Sequence, residues 1–258
     1  MKYDLTQARK CIETLDKRRF DRALLGSGDA FRHIVSLVPL LLHLNHPALP
    51  GYVEDAPAGI ADFILSNYQQ NFLSKEHPEL VEDVQSAVNS DAVFAPILGI
   101  YVMGSFGSIS QTSASDLDIW ICHQDDLSEQ DQQRLAEKTK KISLWASTFH
   151  VEMHFYLMTQ KRFRNERYSD PLTKENSGSA QYMLLLEEFY RSAVRLSGKP
   201  LLWLHLWVED EKQYEAEVAR LVMEGELNPN DWVDFGGLGQ FSASEYFGAS
   251  LWQLYKGI

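Results

Sequence analysis

The chain has almost no cysteine. Cys11 and Cys122 are the only two in 258 residues, and they lie far apart. That excludes a disulfide framework and a cysteine zinc site as organising features, and leaves two reduced thiols in a cytosolic protein. Long apolar runs are also missing. The longest, Ile34 to Leu44, contains Ser36, Pro39 and His43 and is too short to span a bilayer, so no membrane insertion is expected. The start, Met1-Lys2-Tyr3-Asp4, lacks the apolar stretch of a signal peptide. Basic residues are few: 24 Lys and Arg stand against 36 Asp and Glu, for a net charge of −12. Such a balance disfavours a broad nucleic-acid-binding face and leaves room for a small basic pocket holding one nucleotide. There is no internal repeat and no low-complexity tract.

What is present is enough chain to bury a core, as one large domain or two small ones. Three segments can be read. Residues 1–92 form a helical segment, in which Phe31, Ile34, Val35, Val38, Leu41 and Leu42 keep helical spacing. His46-Pro47 to Pro50-Gly51 then reads as a loop, followed by helices near Ile60–Phe72 and Pro78–Val88. Residues 93–200 alternate strand and helix patterns. Ile97–Met103, Leu117–Cys122 and Val151–Leu157 read as strands. Ser128–Ser147 reads as a helix with a stripe of Leu135, Ile142, Trp145 and Phe149. A polar loop from Arg164 to Ser179 leads to a strong helix from Ala180 to Leu196. Residues 201–258 are helical again, with Asn228-Pro229 as one helix start and Ser242-x-x-Glu245 as a capping box for a helix to Lys256. The chain stops just beyond that helix, which suggests a fragment of a longer protein. The fold class expected is α+β, a mixed sheet flanked by helices.

The most telling stretch is Gly104-Ser105 followed by Asp116-Leu117-Asp118-Ile119-Trp120. In a strand, alternate side chains share a face, so Asp116 and Asp118 project together with Leu117 and Ile119 buried behind them. Side-by-side carboxylates repel unless a cation lies between them. Mg²⁺ is such a cation, commonly held by carboxylates and substrate phosphates. A glycine turn offering backbone N–H groups suits the phosphates. A third carboxylate, Glu152, falls on the next strand pattern and shares a face with His154. It is a candidate for completing the metal site and accepting a proton. The plainer readings are a solvated edge for the aspartates, a strand-end charge for Glu152 and a partly buried, satisfied His154.

Further candidates are weaker. The loop Phe106–Ser115 carries Ser113 and Ser115 among its hydroxyls, suited to phosphate contact or simply to a polar loop. Arg191, Arg195 and Lys199 form a row if the helix runs on. Such a row could neutralise a triphosphate, or Arg191 could merely pair with Glu187 while the others favour a helix C-terminus. His43-x-x-His46 has no convincing third metal ligand. Gly236-Gly237-Leu238-Gly239 follows no strand and is not a dinucleotide fingerprint. Trp203, Trp207, Trp232 and Trp252 read as packing residues.

The spacing of Gly-Ser, Asp-x-Asp and a later acidic strand resembles the nucleotidyltransferase superfamily that includes DNA polymerase beta. Longer stretches resemble class I adenylate cyclases of gamma-proteobacteria. They are Tyr101–Ser105, Ser115–His123, Leu184–Leu186 with Glu188–Arg191, Ala193–Leu196 and Tyr246–Lys256, together with the early Asp21–Leu24 and Leu41–His43 with His46-Pro47 and Pro50–Tyr52. The resemblance implies a cytoplasmic enzyme making cyclic AMP from ATP with Mg²⁺ or Mn²⁺. It also implies control by the sugar phosphotransferase system through a C-terminal region not found in this sequence. By motif, Gly104 and Ser105 match the phosphate turn, Asp116 and Asp118 the metal ligands, and Glu152 the third acidic position by its place in the strand. Nucleotidyl transfer to a protein or small-molecule hydroxyl, and a catalytically silent ATP-binding module, stay open beside cyclisation.

Overall fold

A computed structural model describes residues 4–82, 84, 95–112, 115–166, 179–206, 208 and 210–238. Two helices lead, α1 (Leu5–Leu25) and α2 (Asp29–His43), and α3 (Asn67–Glu76) follows the loop. Then come β1 (Ile97–Met103), β2 (Leu117–His123), α4 (Glu129–Ser147), β3 (Met153–Met158), α5 (Gln160–Glu166), α6 (Ser179–Ser192), β4 (Val194–Gly198) and α7 (Tyr214–Met223). The four strands make one sheet in the order β3-β2-β1-β4. β2 and β3 run parallel, and the other pairs are antiparallel. The mixed α+β class expected from the sequence is observed.

The central strands are buried on both faces, which is why they read as continuous apolar runs. One face sends Ile100, Val102, Leu117, Ile119 and Ile121 into a core with the apolar stripe of α2 and with Leu135 and Ile142 of α4. Each α2 side chain so buried contributes roughly 1.5–3 kcal/mol. The other face sends Tyr101, Met103, Trp120 and Cys122 against Phe163 of α5 and Leu186, Phe189 and Tyr190 of α6. Trp120 stacks on Phe189 at 4.1 Å between ring centroids, which fixes α6 across β2. The cap on α4 is Ser128, whose hydroxyl accepts from the Asp131 N–H.

Several helix boundaries are corrected. The helix expected at Ile60–Phe72 is Asn67–Glu76, started by a Ser66–Gln69 capping box. Ile60 instead bridges Ile97 beside β1. The helix expected from Pro78 opens as a 3-10 turn, Pro78–Leu80. Helical residues follow at 81, 82 and 84, and the remainder to Val88 lies outside the described residues. The helix from Ala180 stops at Ser192, and β4 replaces its expected last turn. Gly198 ends β4 at φ +85, where a Cβ would lie 2.5 Å from the Leu98 carbonyl oxygen. Asn228-Pro229 opens a single 3-10 turn, Pro229–Asp231. The capping-box helix at Ser242 lies outside the described residues, as do Trp207 and Trp252.

Lys138 on α4 is 1% exposed and reaches the C-terminal end of α2. Its ammonium donates to the Leu44 carbonyl at 2.8 Å and Asn45 Oδ1 at 3.1 Å. Burial lowers its pKa from 10.5 to about 8. The unfolded chain therefore binds more protons between about pH 8 and 10.5, and stability rises with pH across that window. Relative to Lys138→Met, the wild type should gain about 3 kcal/mol over this range, measured by urea unfolding at each pH. Parallel pH profiles for the two proteins would contradict the assignment.

Candidate active site

Strand ends from all four strands meet at one edge of the sheet. Met103, the last residue of β1, lies opposite Asp118 near the start of β2. β3 starts alongside, with Leu117 opposite Met153 and Asp118 opposite His154. β4 begins at the same end, with Val194 opposite Val102. Residues just outside the strands, Gly104-Ser105, Asp116, Glu152 and Ser192, are thereby gathered by topology alone. Alternation sends Leu117 and Ile119 into the core, while Asp118 shares the face of Trp120, over which α6 packs.

At this edge acidic groups crowd around one histidine. His154 Nε2 is 3.1 Å from Glu152 Oε1 and 4.0 Å from Asp116 Oδ2. The Tyr156 hydroxyl donates to Asp118 Oδ1 at 3.3 Å. Burial, and then the neighbouring Asp116 charge, raise the Asp118 carboxyl above its ordinary range despite His154 and Tyr156. Glu188 of α6 is raised as well, by burial and then by the charge of Asp118. Asp118 carries its charge against partial burial and against Asp116, and a bound cation would offset both.

The turn after β1 is built by backbone constraints. Gly104 has φ +82 and open space, with nothing within 4 Å of where a Cβ would stand, so its conformation rather than crowding calls for glycine. Its N–H donates to Ser192 Oγ at 2.9 Å. Gly107, at φ +65, packs where a Cβ would stand 2.3 Å from the Arg19 carbonyl oxygen. Arg19 of α1 clamps the segment, donating to the carbonyls of Phe106 at 3.0 Å and Ala193 at 3.2 Å. The Gln111 amide ties the loop's far side to Ser27 Oγ at 3.0 Å. A loop whose composition reads as merely polar is thus strapped to α1.

The candidate residues fare differently. Gly104, Ser105, Asp116, Asp118 and Glu152 all lie at this sheet end. The hydroxyl of Ser115 accepts from the Thr112 N–H at 3.0 Å, an internal loop contact. Ser113 lies outside the described residues. The helical row of Arg191, Arg195 and Lys199 does not exist, because α6 ends at Ser192. Arg191, on α6, pairs with Glu187 at 2.9 Å. Arg195, on β4, gives its guanidinium to Glu13 at 3.0 Å and the Gly198 carbonyl at 3.0 Å. Lys199 follows β4 at the opposite end of the sheet, where its N–H donates to the Leu98 carbonyl at 2.8 Å. Glu188, Tyr156 and Ser192 were not legible as site residues. Among the described residues, no three His, Cys, Asp or Glu side chains gather as a metal cage.

Residues 4–204 match the family model described as "Adenylate cyclase NT domain". The chain belongs to this adenylate cyclase N-terminal domain family. The matched span includes all four strands and every residue of the sheet end just described. Adenylate cyclase of Haemophilus influenzae is 67% identical over 263 residues, covering 100% of this chain and 31% of that protein. Adenylate cyclase of Pasteurella multocida is 60% identical over 260 residues, again 100% of this chain and 31% of the relative. The chain thus spans about a third of the length of these curated relatives. Among solved structures, a spectinomycin adenyltransferase from Enterococcus faecialis with ATP and spectinomycin aligns at TM-score 0.31 and 17% identity, over 57% of this chain and 65% of that one.

Proposed function

We propose that this chain carries the catalytic centre of an adenylate cyclase, converting ATP to 3′,5′-cyclic AMP and pyrophosphate at the sheet end around Asp118. The observation that supports it is the half-buried Asp118, raised by burial and by Asp116, in a member of that family. The donor set is two hard carboxylate oxygens, which fits Mg²⁺ or Mn²⁺ completing its shell from phosphates and water. Asp116 and Asp118 would hold such an ion. When bound, it would lower the pKa of the ribose 3′-hydroxyl and offset charge on the phosphates.

The chain's own groups do the rest. The Gly104-Ser105 turn orients the triphosphate beside the two aspartates. Glu152, held by His154, accepts the 3′-hydroxyl proton as the 3′-oxygen bonds to the α-phosphorus. The bond from the α-phosphorus to the bridging oxygen breaks and pyrophosphate departs in line. Arg191 of α6 would exchange its Glu187 partner for the leaving phosphate. Among the described residues no helix is long and apolar enough to cross a membrane, and we place the enzyme in the cytoplasm with its substrate. Control by a sugar phosphotransferase component, through sequence beyond this span, belongs to the same reading.

The test is product analysis after incubating the full-length protein with ATP and Mg²⁺ and no other acceptor. Cyclic AMP and pyrophosphate in equal amounts are expected, and chelation should abolish both. An adenylylated protein or small molecule, formed only when an acceptor is added, would point to group transfer instead. Metal-dependent ATP binding without any product would point to a silent module.

A further inference from the structure

The end of α6 is joined to the phosphate turn by one hydroxyl. Ser192 Oγ accepts the Gly104 N–H at 2.9 Å and donates to the Glu188 carbonyl at 2.6 Å. A serine in the last helical turn often bonds back four residues and goes no further. Here its remaining acceptor capacity spans 88 residues of sequence to reach the turn after β1. Arg19 straps the same two segments from the other side through the Phe106 and Ala193 carbonyls. The Gly104 turn and the α6–β4 junction are therefore tied together at three points. The same helical turn carries Glu188, which feels the charge of Asp118.

We infer that Ser192 is a positioning residue for the nucleotide's phosphates. Resting on the reading of the site as an ATP-cyclising centre, its hydroxyl fixes the Gly104 peptide and sets the following N–H groups toward the phosphate chain. Gly104's own N–H is committed to Ser192, that of Gly107 to Gln111 Oε1 and that of Ser108 to the Ser105 carbonyl, so the phosphate contacts fall to Ser105 and Phe106. Nothing in the motif spacing of the sequence assigns Ser192 a part. Its role follows from one hydrogen bond that crosses from α6 to the turn after β1 and one that anchors the hydroxyl to its own helix.

The experiment compares Ser192→Ala and Ser192→Thr with wild type in the full-length protein. For Ser192→Ala, KM for ATP should rise roughly tenfold, the loss of one well-placed hydrogen bond. kcat should change less than threefold, and adenosine, which lacks the phosphates, should bind as to wild type. Ser192→Thr keeps the hydroxyl and should restore KM. An unchanged KM in Ser192→Ala overturns the inference. Tighter ATP binding overturns it too, since the serine would then be a plug that phosphate displaces. A lowered melting temperature that Ser192→Thr repairs without repairing KM shows a merely structural serine and also overturns it. Wild-type protein that makes no cyclic AMP sinks the functional reading, whereas active wild type with an indifferent Ser192→Ala sinks only this inference.

Discussion

Asp118→Asn is expected to lower cyclic AMP formation by roughly a thousandfold or more while leaving the melting temperature unchanged or slightly raised. The rate effect follows from the charge. Several kcal/mol of transition-state stabilisation depend on an ion at a phosphoryl centre, and each 1.36 kcal/mol is about tenfold. An amide is a far poorer ligand than a carboxylate and brings no negative charge. The stability effect follows from linkage. The folded-state pKa of Asp118 is raised by burial and by Asp116. A raised carboxyl contributes stability that is fully present below its unfolded pKa and is lost as pH rises through its folded pKa. At neutral pH the ionised group therefore opposes folding, and asparagine relieves it. Steady-state kinetics and a thermal melt on the same preparation test both halves. An active Asp118→Asn, or an inactive variant that is also unfolded, would contradict the account.

Gly107→Ala should cost about 3 kcal/mol and damage the site from a distance. An alanine Cβ would lie 2.3 Å from the Arg19 carbonyl oxygen and 2.9 Å from its Cα, at a backbone φ of +65 that disfavours side chains. Positive-φ strain and overpacking each cost on the order of 1–3 kcal/mol. For a chain of this size that lowers the melting temperature by roughly 8 °C. The clash pushes the loop off α1, where Arg19 also holds Phe106. KM for ATP should rise together with the loss of stability. Gly104→Ala offers the contrast, because nothing stands within 4 Å of its Cβ position and only the φ of +82 opposes it. A Gly107→Ala protein with wild-type melting and KM would show that the loop's attachment to α1 does not matter.

The acidic edge was legible because its strands are buried on both faces. Ile97–Met103 is buried at every position, and an apolar run of that kind has few other readings. Charged residues at alternate positions around Leu117 and Ile119 then mark the exposed side of a strand start. β4 was not legible. Met183, Leu186, Tyr190 and Val194 keep helical spacing straight through the break, so local pattern favours continuing the helix. What ends it is non-local: β1 offers a partner edge, with Tyr101 opposite Arg195. The basic row vanished with that last turn, and Arg195 went to Glu13 of α1, 182 residues away in sequence. Glu188 was hidden for a related reason. On α6 it looks like any solvated acid, and only the packing of Phe189 on Trp120 brings its turn near Asp118. Glu152 and His154 could be paired from alternation, but the parallel register that sets them beside Asp116 and Asp118 is a property of the sheet.

The most direct measurement is Mn²⁺ binding followed by electron paramagnetic resonance in the presence of a non-reactive ATP analogue. Wild-type protein should take up the ion together with the nucleotide, and the Asp116→Asn/Asp118→Asn double variant, folded as judged by its melt, should take up neither. Equal uptake by the two proteins would place the metal and the nucleotide elsewhere and contradict the assignment of this sheet edge.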